Sequence, residues 1–175
     1  MNKFILLLLL CTGLFGRVAS ITENIRELNR LTGTQKKVAK KVWELATPNN
    51  LQYTATAIAW QESKFGKWKI NLADPSCGIF HKLLPEYAQE VGLKPTNWNI
   101  SRLCEDLQND NNSFKIFVST FETKERSCRI HKYKNIWRCA VSRYNGSGAS
   151  AREYLVNILN KIHALKIYKN KNKEK

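Results

Sequence analysis

A run of small and apolar residues, Ala57, Ile58, Ala59 and Trp60, is followed closely by Glu62, and then by Lys64, Phe65 and Gly66. The run reads as the buried end of a helix that stops before the glycine. A carboxylate at that end faces the negative pole of the helix dipole, where a cation is favoured. Apolar walls also disfavour its charged form, because desolvation penalises charge. A free glutamate titrates near about 4.3, and an apolar pocket can move that towards roughly 6. Glu62 is therefore set to keep its proton near neutrality, as a general acid must. Breaking a glycosidic bond needs such an acid to protonate the leaving oxygen, and usually a second carboxylate as nucleophile or base. The nearest candidate for that second role is Asp74, although "ADPS" reads first as a turn or cap.

Glu62 needs a core to be buried against, and the chain supplies helices for one. "TQKKVAKKVWELA" places Val38, Val42, Trp43, Leu45 and Ala46 largely on one face, and Pro48 follows its end. Leu51 to about Ser63 forms the next helix, which carries Glu62. Residues 65–82 hold Gly, Asp-Pro and Ser signals, with room for a short extended piece or hairpin. "SFKIFVSTFETKE" spaces Phe114, Phe117, Val118 and Phe121 by threes and fours, and "IWRCAVSRY" reads as a shorter buried helix. A last helix is predicted from a capping box of Ser150 and Glu153. Its core stripe is Tyr154, Leu155, Ile158, Leu159, Ile162 and Leu165. The expected fold is a compact, mainly α domain. The tryptophans Trp60, Trp68, Trp98 and Trp137 are expected in its core, and His131 and His163 on its surface.

Both ends of the chain are biased. "MNKFILLLLLCTGLFGRVAS" has a lysine, a short apolar run and then small residues, the pattern of a secretory signal peptide over residues 1–20. Cys11 belongs to its apolar run. The expected domain spans residues 21–165, and "KIYKNKNKEK" over 166–175 reads as a solvated, frayed basic tail. The formal net charge of +15 favours anionic polymers such as nucleic acid, lipopolysaccharide or cell-wall glycan. Cys77, Cys104, Cys128 and Cys139 remain after cleavage, an even number that suggests two disulfides among three connectivities. Pairing Cys77 with Cys104 and Cys128 with Cys139 is expected, because the second pair flanks a basic link between two helices. Zinc is disfavoured, since no two cysteines have CxxC spacing and His81, His131 and His163 form no ligand array with them. Neither a metal nor a cofactor is expected.

Four short motifs occur in order: "ESKFG" at Glu62, "DPSCGIFH" over 74–81, "AVSRYNGSG" over 140–148, and Tyr154. Together they resemble the soluble-type lytic transglycosylases of the lysozyme-like superfamily. The pattern there is Glu-Ser at a helix end, Ser-x-Gly-apolar-apolar-Gln, an Ala-rich helix ending in Tyr-Asn-x-Gly, and a further Tyr. The resemblance runs from about residue 50 to 160 and implies a lysozyme-like α+β domain. It places Glu62 on the catalytic acid/base and Ser63 on the serine beside it. Ser76, Gly78, Ile79 and Phe80 fall on the glycan-groove segment, Tyr144, Asn145 and Gly146 on the Tyr-Asn-x-Gly turn, and Tyr154 on the later tyrosine. His81 departs from the pattern by standing where glutamine is usual, and Gly148 adds a second glycine to the turn. A neutral imidazole can donate and accept hydrogen bonds much as an amide does.

The resemblance implies cleavage of the MurNAc–GlcNAc β-1,4 bond of peptidoglycan by a single acid. The sugar's acetamido group assists departure, Glu62 then takes the proton of the 6-hydroxyl, and a 1,6-anhydro-muramyl end forms. It also implies a periplasmic monomer acting on glycan strands, with a secretion or conjugation apparatus as a candidate partner. The competing readings are a goose-type-like lysozyme, which a second carboxylate would favour, and a non-catalytic wall-binding module, against which the Glu-Ser pair argues. A secreted nucleic-acid binder is permitted by charge, but no motif supports it. Sequons at Asn99, Asn111 and Asn145 matter only in a glycosylating host, and a glycan on Asn145 would obstruct the site.

Overall fold

The computed structural model describes residues 18–71 and 73–171. Most of the expected signal segment, residues 1–17, lies outside that range, as do residues 172–175 of the expected tail. The chain forms α1 (Ile21–Asn29), α2 (Gly33–Ala46), a 3-10 turn (Thr47–Asn49) and α3 (Gln52–Ser63). Three two-residue strands follow, β1 (Ile70–Asn71), β2 (Ser76–Cys77) and β3 (Lys82–Leu83). The helices α4 (Leu84–Glu90), α5 (Asn97–Leu107), α6 (Asp110–Ile130), α7 (Ile136–Tyr144) and α8 (Gly148–Lys171) complete it. The fold is mainly α, with one small antiparallel sheet in the order β1-β2-β3.

The helix α3 is the axis of the core. Every residue from Thr54 to Trp60 is buried, which suits a helix that is small or apolar all round rather than on one stripe. α2 and α8 pack along it, and Trp137 of α7 donates its indole N–H to Thr54 Oγ1 at 3.0 Å. Lys64 and Phe65 end α3 with positive φ of 52° and 55°. Phe65 N–H reaches back to Ala59 O at 3.2 Å, closing the last turn by a bond six residues back. That reversal returns the Phe65 ring to the core, stacked on Trp60 with centroids 5.8 Å apart.

The sheet turns the chain after α3 back across its C-terminal end. Ile70 pairs with Cys77, and Cys77 with Lys82. The turn between β2 and β3 drives Ile79 and Phe80 into the core, where both are almost fully buried and Phe80 stacks on Phe117 at 4.3 Å. Gly78 has φ +84°, and a Cβ there would collide with Ser113 Oγ and lie 3.0 Å from the Leu107 carbonyl. Only glycine serves at that crossing.

Some expectations are corrected. α8 begins at Gly148, so Ser150 lies inside its first turn and the Ser150–Glu153 capping box is absent. The capping boxes that do form are Ser20–Glu23 and Thr32–Gln35. The segment from Lys166 is not frayed but helical through Lys171, with Lys166 and Lys169 lying over the rings of Tyr53 and Trp43. Cations over aromatic faces give that end something to pack on. Trp68 and Trp98 are exposed, at 58% and 71%, because one follows the left-handed turn after α3 and the other opens α5. No helix among the described residues is long and apolar enough to cross a membrane.

The two disulfides pair Cys77 with Cys104 and Cys128 with Cys139, which removes all four thiols as metal ligands. The first ties β2 to α5, and the second closes the α6–α7 hairpin. Such bridges persist in oxidising compartments. They span 27 and 11 residues in sequence, so loop-closure entropy assigns about 3.6 and about 2.8 kcal/mol respectively. Denaturant unfolding of the paired Cys→Ala variants tests this: each should be destabilised by about 3 kcal/mol, with the Cys77/Cys104 pair costing more.

Candidate active site

A cleft of about 570 Å³ opens between the end of α3, the sheet, and the helices α4, α6 and α7. Glu62 lies in its wall, with 15% of its side chain exposed. Burial pushes its carboxyl up to about 7; the charge of Asp74 adds to that rise, while a hydrogen bond from Tyr154 opposes it. Tyr154 donates its hydroxyl to Glu62 Oε1 at 2.6 Å, across 92 positions of sequence. Tyr144 and Tyr154 stack with centroids 6.4 Å apart. Burial and the charge of Glu62 hold both phenols well above their usual range, so both remain donors. Tyr144 uses its proton on the Phe80 carbonyl, 3.0 Å away.

The candidate residues separate into two groups. Glu62, Ser76, His81, Tyr144 and Asn145 line the cleft, as do Asp74 and Gly146. Ser63, Gly78, Ile79, Phe80 and Tyr154 are set behind it and act on those that line it. Ser63 is fully buried. Its hydroxyl lies 2.8 Å from Ile79 O and 3.1 Å from Ala59 O, and accepts from Gly66 N–H at 2.9 Å. Ile79 N–H in turn donates to Ser113 Oγ at 3.1 Å. These bonds lock the β2–β3 turn onto the end of α3. His81, which closes that turn, has φ 48° and lies 3.7 Å from Glu62.

The wall opposite was not legible as a site from the sequence. Lys82 and Glu90 form an ion pair at 2.7 Å across β3 and α4, and Thr120, Thr123 and Lys124 face them from α6. α6 is read from its phenylalanines, Phe114, Phe117 and Phe121. The threonines on either side of Phe121 look like any solvated face until the sheet folds over it. The signal available was the interleaving of small hydroxyl residues with that aromatic stripe.

Chemically, the cleft offers one carboxyl that keeps its proton up to about pH 7, a second carboxyl group at Asp74, an imidazole, and a rim of hydroxyls and amides. Such a surface suits a polyhydroxylated substrate that must be protonated at an oxygen. Among the described residues no cluster of three or more His, Cys, Asp or Glu is arranged to hold a metal ion. No family model matches the chain, and neither does any curated protein or solved structure.

Two outcomes are expected. Ser63→Ala leaves Gly66 N–H without its acceptor and Ile79 O without its donor, so it should cost about 1–3 kcal/mol in denaturant unfolding. A carboxyl raised from 4.5 to about 7 binds a proton that the unfolded chain has released. Its contribution is therefore present below the unfolded value and lost as pH rises through the folded one. Relative to Glu62→Gln, the wild-type chain should lose about 3 kcal/mol between pH 4.5 and 7, measured as paired unfolding midpoints across that range.

Proposed function

We propose that this chain is an exported peptidoglycan lytic transglycosylase of the soluble type, with a lysozyme-like fold, acting in the periplasm on glycan strands. The observation that carries the proposal is the state of Glu62. It sits at a helix end in the wall of a large polar cleft, and burial pushes its carboxyl up to about 7. The four motifs that suggested the family converge around that carboxyl, although they are spread over most of the chain. The two disulfides suit an exported protein, and the strongly basic chain suits an anionic wall polymer.

The proposed reaction is the one the family resemblance implies, assigned to the residues in place. Glu62 protonates the leaving glycosidic oxygen as its bond to the anomeric carbon breaks, and the acetamido oxygen of that same sugar bonds to the carbon. The Glu62 carboxylate then removes the proton of the 6-hydroxyl, which closes on that carbon as a 1,6-anhydro ring. Tyr154 keeps a hydrogen bond on Oε1 throughout, stabilising the carboxylate as it forms. Ser76, His81, Tyr144 and Asn145 line the groove as candidate sugar contacts. Ser63, Gly78, Ile79 and Phe80 serve by holding the groove's backbone.

One observation favours a second reading. Asp74 borders the same cleft, and Glu62 feels its charge, so a hydrolase using Asp74 to activate water is the alternative. Digestion of purified sacculi in oxygen-18 water separates the two. Unlabelled anhydro-muramyl ends are expected; labelled reducing ends would replace the transglycosylase by a lysozyme. Glu62→Gln should fold, retain binding to sacculi and lose at least about two orders of magnitude in rate. Near-normal turnover in that variant would move the chemistry away from this cleft.

A further inference from the structure

The two oxygens of Glu62 have different neighbours. Oε1 accepts from Tyr154, while Oε2 lies 3.7 Å from Nδ1 of His81. The other ring nitrogen, Nε2, lies 2.6 Å from the backbone carbonyl oxygen of Trp68. A carbonyl only accepts, so Nε2 carries the hydrogen. In the neutral ring Nδ1 is then the lone-pair nitrogen, and it faces the carboxyl oxygen that Tyr154 leaves free. The placement is built into the fold. His81 has φ 48°, a left-handed conformation that a non-glycine residue adopts at a cost of about 1 kcal/mol or more. Its side chain is only 11% exposed, between a backbone acceptor on one side and the acid on the other.

We propose that His81 is a positioning residue that keeps the acidic proton of Glu62 on Oε2, so that the two side chains share one proton at the cleft. This rests on the reading of Glu62 as the acid and adds which oxygen delivers the proton. A neutral imidazole offers an acceptor to Oε2–H, whereas an imidazolium would favour the carboxylate. In the first step the Oε2–H bond breaks, its electron pair stays on Oε2, and the proton bonds to the leaving oxygen. In the return step the same oxygen takes the proton of the incoming hydroxyl, and His81 ends the cycle unchanged. The distance exceeds a formed hydrogen bond, as catalytic contacts often do before substrate closes the site.

The other groups facing the pair do not take over this role. Tyr154 from α8 and Tyr144 from α7 stay protonated. Asp74, from the β1–β2 turn, is an anion whose charge favours a proton on Glu62. Lys82, next in the chain, is engaged with Glu90 of α4 at 2.7 Å. Glu86 of α4 and Lys124 of α6 border the same cleft and act on the pair as more distant charges.

Nitrogen-15 and carbon-13 NMR titration of the whole chain tests the proposal without requiring turnover. Neutral His81 should be the Nε2–H tautomer. As the Glu62 carboxyl gains its proton, followed at its carboxyl carbon, the signal of His81 Nδ1 should move with it, because that nitrogen faces Oε2 at 3.7 Å. Glu62→Gln should abolish that movement at His81 Nδ1, and His81→Gln should change the pH at which the Glu62 carboxyl carbon shifts. An Nδ1–H tautomer, or a His81 curve in Glu62→Gln that superimposes on wild type, would overturn it. Should His81→Gln fail to fold, the Glu62→Gln comparison decides alone. Failure of wild-type chain to cleave sacculi would sink the proposed function and leave the shared proton standing; cleavage with uncoupled titrations would do the reverse.

Discussion

The hydroxyl of Ser63 joins the end of α3 to the β2–β3 turn, sixteen positions on. It lies within hydrogen-bond distance of Ala59 O on its own helix, of Ile79 O on the β2–β3 turn and of Gly66 N–H on the exit loop. A buried hydroxyl has one proton and two lone pairs; here the proton is shared between the Ile79 and Ala59 carbonyls and one lone pair takes the Gly66 N–H. The end of α3 leaves carbonyls without helical partners, and burying them is costly unless something answers them. Gln35 answers another, donating to Lys64 O at 2.9 Å. This junction brings Glu62, the residue before Ser63, to the edge of a cleft at a fixed angle to the turn that carries His81.

The same junction explains why Ile79 and Phe80 are core residues rather than groove residues. A turn pinned by its backbone to α3 and to Ser113 has to send side chains somewhere. The α6 phenylalanines offer an apolar seat, with Phe80 at 4.3 Å from Phe117. Gly78 lets the turn approach α6 closely, and the left-handed conformation of His81 then swings the next side chain to the cleft. Residues that looked like ligand contacts are the means by which a contact is held. The Cys77–Cys104 bridge secures the same segment from the other side, through α5.

Electrostatically the site is a compromise. Burial works against ionised Glu62, while the Tyr154 hydroxyl works for it. Without the tyrosine the carboxyl would be harder still to ionise. Without the burial it would give up its proton at a lower pH. Asp74 shifts the balance towards the protonated form. In the proposed reaction, where one acid must also become a base within a turnover, such opposed influences keep its pKa near neutrality.

The positions of α2, α3, α6, α7 and α8 and the setting of Glu62 were legible in the sequence, because both depend on neighbours within a few residues; α1, α4 and α5 were not read from it. The periods of α2, α6 and α7, the apolar run before Glu62 and the breaker after it are local information. Local reasoning failed where a local signal had rivals. Ser150 and Glu153 have capping-box spacing, yet the turn at Gly146 and Gly148 starts α8 earlier, so the box never forms. Trp68 and Trp98 are large and apolar in type, but their places at a reversal and a helix start leave them nothing to pack against. The even cysteine count was visible, and the observed pairing matches the expected one, since α6 and α7 are joined by a short link. What tertiary structure alone decided is the composition of the cleft. Tyr154 reaches Glu62 across 92 positions, Lys82 finds Thr120 across 38, and α6 turns its threonines towards the sheet. No periodicity encodes such meetings, because they depend on where whole helices come to rest when their apolar faces are buried together.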